Sequence, residues 1–201
     1  MPGYLFRARD VRHLKELGLV DTRPFVVGHT RTTLVSLTRE GRDLLEDSRR
    51  DDRDASRQVF HAGVSKPREL AHDAQLFRAY AKAADRITSR GGRVRRVVLE
   101  EELKRAYQQF LQASNRGRRD SDGRSDRTAM DVAAWARDHD LPVLDGRVQF
   151  PDVRIEYDDR DGRRAKEDLE VTTPHYRGAH AAAKAQSGFT CYRSVGARLG
   201  G

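Results

Sequence analysis

Two acidic residues, Asp152 and Glu170, have the spacing of a cation site. Asp152 follows Pro151 and opens the alternating run Val153 to Tyr157; Glu170 lies in a second alternating run, Ala165 to Thr172, with turn material from Asp158 to Gly162 between them. With the turn centred near Asp161, each acid stands nine residues from it, so a hairpin sets the two carboxylates opposite each other at its open end. Strand residues two apart share a face, so Val153, Ile155 and Tyr157 oppose Asp152, Arg154 and Glu156, and Leu169 and Val171 oppose Asp168, Glu170 and Thr172. Like charges at cross-strand distance repel. A hard divalent ion such as Mg2+ relieves that repulsion, takes oxygen ligands and activates water against a phosphodiester. The alternative is an acidic hairpin that is only solvated.

Several elements must hold this hairpin. The sequence predicts a helix from about Arg68 to Arg90, stopped by Gly91 and Gly92, then an extended run, Val94 to Leu99, and a helix from Glu100 to about Leu111. Glu100, Glu101 and Glu102 fall in the first turn of that helix, where the dipole favours negative charge. A short helix is expected from Asp131 to Asp138 and another from Tyr176 to Ser187, on which Arg177, His180 and Lys184 are spaced as one polar stripe. His72 beside Asp73 reads as a helix-surface or capping pair rather than a ligand set.

The N-terminal block has its own order. Val11, Leu14 and Leu17 share one face of a helix from Ala8 to Leu17, which Gly18 ends; extended pieces Pro24 to Val27 and Thr33 to Leu37 flank a polar tip; Thr38 N-caps a helix from Arg39 to about Arg50. Two stretches, Glu46 to Arg57 and Gln112 to Thr128, are nearly all charged or small and read as linkers. The expected division is a DNA-binding region over 1–50, a charged linker over 51–59, and an α/β domain over 60–201 with a polar loop at 112–128. Helix, hairpin, helix in LKELGLVDTRPFVVGHTRTTLVSLTREGRDLL resembles the winged helices of multiple-antibiotic-resistance-type regulators. That resemblance makes Ala8 to Leu17 the recognition helix, with Arg7, Arg9, Arg12 and Lys15 as DNA contacts and Arg31 at the wing tip. The helices that normally precede a recognition helix are absent, and a segment that only mediates dimerisation is the alternative.

Composition bounds the function. The 201 residues carry 39 Lys and Arg against 31 Asp and Glu, a net charge of +8, and the isoelectric point is near 10.0. This balance favours a nucleic-acid partner. Only 37% of residues are hydrophobic, and no apolar run approaches the roughly 20 residues that cross a bilayer. Met1 to Val20 carries charge throughout and lacks the apolar stretch of a secretory signal, so a cytoplasmic protein without a membrane partner is expected. The single cysteine, Cys191, rules out an internal disulfide and a thiolate zinc cluster.

Pro151-Asp152 followed after a hairpin by Glu170-Val171-Thr172 resembles the PD-(D/E)xK nucleases, which implies a restriction-endonuclease-like α/β domain. The resemblance makes Asp152 and Glu170 ligands of Mg2+ or Mn2+, with Glu102 assisting from the preceding helix. Thr172 stands where that family keeps its catalytic lysine; some members supply it from the next helix, which points to Lys184, with Arg177 and His180 on the scissile phosphate. Across residues 5–193, "LTREGRDLL", "LAHDAQLFRAY", "RVVLEEELKR", "FPDVRIEY" and "DLEVTTPHYRGAHAAAKAQSGF" together are similar to the replication-relaxation family of bacterial plasmids and integrative elements. What this implies is an α+β chain, a partial winged helix-turn-helix followed by a nuclease-like domain, acting on DNA in replication or mobilisation. Its partners would include a second copy of the chain and other replication or mobilisation proteins. A non-catalytic DNA-binding factor and a winged-helix transcriptional regulator are the alternatives.

Overall fold

The protein is described from a computed structural model over residues 8–27, 30–49, 58–64, 66–118, 123–172 and 186–193. It is a mixed α+β structure. Helix α1 (Ala8–Glu16) leads into an antiparallel hairpin of β1 (Val20–Val27) and β2 (Thr30–Leu37), whose register pairs Val20 with Leu37. Both strands start earlier than the alternation alone suggests, because ladder pairing recruits polar residues such as Thr22 and Arg31. Helix α2 (Arg39–Ser48) begins where expected, with the Thr38 hydroxyl accepting from the Gly41 amide at 3.0 Å. It continues through Glu46–Ser48, so the first three residues assigned to a linker are helical. The glycine of "LTREGRDLL" is there for space: a Cβ on Gly41 would lie 2.0 Å from the Leu19 carbonyl oxygen.

The larger body is a four-stranded sheet in the order β3 (Arg93–Leu99), β6 (Val153–Asp158), β7 (Arg164–Thr172), β8 (Thr190–Arg193). The first three strands are antiparallel neighbours and β8 runs parallel to β7. Helix α3 (Leu70–Ser89) covers one face. Its Ala79, Ala83 and Ile87, each one turn apart, pack on Val153, Ile155, Leu169 and Val171. Burying each of these larger aliphatic side chains contributes about 2 kcal/mol. On the other face Val98 of β3 joins Leu103 of α4 (Glu100–Leu111) with Trp135 and Ala136 of α5 (Ala129–Asp138). Strands β4 (Val143–Leu144) and β5 (Arg147–Val148) form a small separate hairpin before β6.

Sheet and α5 are joined by polar contacts. Arg154, on the α5 side of β6, donates to the carbonyls of His139 at 2.7 Å and Asp140 at 3.0 Å, just past the C-terminus of α5, where a cation is favoured. On the α3 side, Arg86 bonds Glu167 of β7 and the Tyr192 hydroxyl of β8. Gln58, assigned to the charged linker, is fixed on β3: its amide donates to the Val97 carbonyl at 2.9 Å and its oxygen accepts from the Val97 amide at 2.7 Å.

Candidate functional site

The β6–β7 register is centred at Asp161. Pairs run from Asp158 with Arg164 to Val153 with Leu169, and one further step sets Asp152 opposite Glu170. Asp152 lies outside the ladder, yet its Oδ2 accepts from the Val171 amide at 2.7 Å, so its carboxylate closes the strand end where a backbone carbonyl would otherwise sit. Its main-chain oxygen accepts from Glu100 N at 3.1 Å, tying it to the first turn of α4. The carboxylate is 14% exposed. Glu170 is fully buried, on the strand face opposite Leu169 and Val171.

The structure thus brings the two acids to one end of one hairpin. Glu102 is engaged elsewhere: it is ion-paired with Arg96 of β3, which neutralises it locally. Lys184, Arg177 and His180 lie outside the described residues, as does Arg7. Thr172, at the position of the family's lysine, approaches the Tyr192 carbonyl of β8 at 3.5 Å.

His72, which the sequence reads as a helix-surface or capping residue, lies beside Asp152. It sits in the first turn of α3 with its Nε2 3.9 Å from Asp152 Oδ1. No local signal in the sequence could have found it, because the approach depends on how α3 crosses the sheet. Asp73 beside it is held above its ordinary carboxyl value, first by burial, with the acids Glu69 and Glu101 adding to the effect. Lys66 bridges Glu69, the N-cap of α3, and Glu101 in the first turn of α4, so the two helix starts meet here.

Among the described residues, the basic side chains expected to touch DNA lie on α1 and β2. Arg9, Arg12 and Lys15 are exposed on α1, and Lys15 donates to the Thr22 hydroxyl at 3.0 Å, linking that helix to β1. Arg31 is exposed on β2 and, with Thr22, Arg23, Pro24 and Thr33, lines an open hollow of about 500 Å³.

Oxygen donors of this kind suit Mg2+ or Mn2+, which are held through one or two carboxylates with water and phosphate completing the shell. Among the described residues no three His, Cys, Asp or Glu side chains converge into a ready ligand set. No helix among them is long and apolar enough to cross a membrane. In comparisons with known proteins, no family model, no curated protein and no solved structure matches the chain.

Proposed function

We propose that this chain binds DNA through α1 and the β1–β2 wing and carries a PD-(D/E)xK-like domain that cleaves DNA phosphodiester bonds with Mg2+ or Mn2+, as a replication-relaxation protein of a mobile element. The observation that carries this reading is the strand register, which sets Asp152 opposite Glu170 at the open end of the β6–β7 hairpin. The mixed sheet with helices on both faces agrees with a restriction-endonuclease-like domain. A bound dication would lower the pKa of a water and neutralise charge at the scissile phosphate. Asp152 and Glu170 would hold that ion, and Asp152 is kept in place by the Val171 amide and the α4 start. Lys184, from 173–185, would stabilise the developing charge, with Arg177 and His180 on phosphate.

Supercoiled plasmid incubated with Mg2+, Mn2+ or chelator tests it, alongside Glu170→Gln and Lys184→Ala. Metal-dependent nicking lost in both variants supports the enzyme.

A second reading has its own support. Thr172 occupies the lysine position and Glu102 is committed to Arg96, so a nuclease-like scaffold that only binds DNA in an initiation or relaxation complex fits as well. Binding without nicking under every metal condition supports that reading.

A further inference from the structure

The geometry points to His72 as a nitrogen ligand that pairs with Asp152 Oδ1 and gives the site a preference for a transition dication such as Mn2+ over Mg2+. The inference deepens the reading of Asp152 as a metal-holding carboxylate and rests on it.

Asp152 has two carboxylate oxygens, and they are not equivalent. Oδ2 is spent on the Val171 amide at 2.7 Å, a bond that completes the β7 ladder and whose loss would leave a part-buried N–H unsatisfied. Oδ1 is the oxygen left for an ion, and it faces α3, with His72 Nε2 3.9 Å away. That gap is too long for a hydrogen bond. It is short enough for one ion between the two atoms, since two bonds of about 2.1 Å span up to roughly 4 Å. The His72 ring is 40% exposed, so its nitrogen is open to an ion arriving from solvent. Glu102 cannot fill this place while it is paired with Arg96.

The donor type then decides the metal. Mg2+ is held through oxygens and dehydrates reluctantly, whereas first-row transition ions accept imidazole. Among the described residues no three such side chains converge, so an ion here takes His72 and Asp152 Oδ1 in place of the Asp152–Glu170 pair. Water and a DNA phosphate would complete the shell, so affinity rises when DNA is bound.

The test is Mn2+ binding to the full chain, read by electron-spin-echo modulation for directly coordinated nitrogen and by titration for affinity. Nitrogen coupling is expected in the native chain and lost in His72→Ala and His72→Asn, with Mn2+ affinity falling about tenfold or more and Mg2+ affinity little changed. Thermal melts of both variants check that they fold. Absent nitrogen coupling in the native chain, coupling retained in folded His72→Ala, or unchanged Mn2+ affinity each overturns the inference. Plasmid nicking separates it from the wider reading. Nitrogen-coupled Mn2+ without nicking keeps this site and removes the nuclease. Nicking equally fast in Mg2+ and Mn2+, and indifferent to His72→Ala, keeps the nuclease and removes this site.

Discussion

Arg154 and Asp168 stand opposite each other on β6 and β7 and are joined twice, Nε to Oδ1 at 2.7 Å and Nη2 to Oδ2 at 2.9 Å. Their side chains are only 7% and 11% exposed. Because the same guanidinium also holds the last carbonyls of the α5 turn, one arginine fixes both a strand pair and the helix packed over it. A buried charge pair of this kind adds little net stability against an apolar replacement, but losing one partner leaves the other charge stranded.

Asp168→Ala is therefore expected to destabilise the fold by about 3–5 kcal/mol, and Arg154→Ala by a similar amount. The double variant Arg154→Met with Asp168→Leu should recover much of that loss. Urea denaturation of the four proteins measures it, and additive losses in the double variant would show the pair is not coupled.

Gly41→Ala tests the packing of α2 on the α1–β1 turn. A methyl group 2.0 Å from the Leu19 carbonyl forces the helix away. We expect about 1–3 kcal/mol of destabilisation, with weaker DNA binding because the wing loses its support. Gly41→Ala melting like the native chain would mean that α2 moves freely there.

Acid sensitivity is expected from the α5 cap. The Thr128 amide, then its hydroxyl, hold the Asp131 carboxyl below its ordinary value. A depressed carboxyl contributes stability that is fully present above its ordinary value near 3.8 and is lost as pH falls through the lower folded value. Asp131→Asn should flatten this part of the stability profile, measured by melts between about pH 2 and 5. An unchanged acid limb would assign the effect to other groups.

DNA affinity should depend steeply on salt. Arg9→Ala, Arg12→Ala and Arg31→Ala are each expected to lower the slope of log affinity against log salt by about one, read by fluorescence anisotropy over several salt concentrations. A variant that keeps the native slope places its arginine off the DNA.

The sequence was most readable where structure is local. The α4 bounds follow from apolar spacing and the acidic first turn, and the hairpin centre at Asp161 lies midway between the end of one alternating run at Tyr157 and the start of the next at Ala165. That symmetry was enough to align Asp152 with Glu170. Contacts made across the sheet were not readable: Arg154 reaching α5, Arg86 bridging to Tyr192, and His72 arriving beside Asp152 each join residues distant in the chain through packing that no short window encodes. Glu102 shows the reverse case. Its helix was placed well, but Arg96, six residues earlier on β3, competes for it.

The glutamine seated on Val97 also bears on solubility. A bare outer strand invites another polypeptide to add itself by main-chain bonding, and basic, sparsely apolar proteins are not exempt. By offering an amide that mimics a peptide group, Gln58 satisfies both Val97 groups from within the same molecule. The neighbouring stretch continues to β2, where Ala62 bridges Leu37 and Gly63 N donates to the Leu37 carbonyl at 2.8 Å. A short tether thus does two jobs: it discourages edge-on aggregation and stitches the β1–β2 hairpin to the sheet that bears the acids.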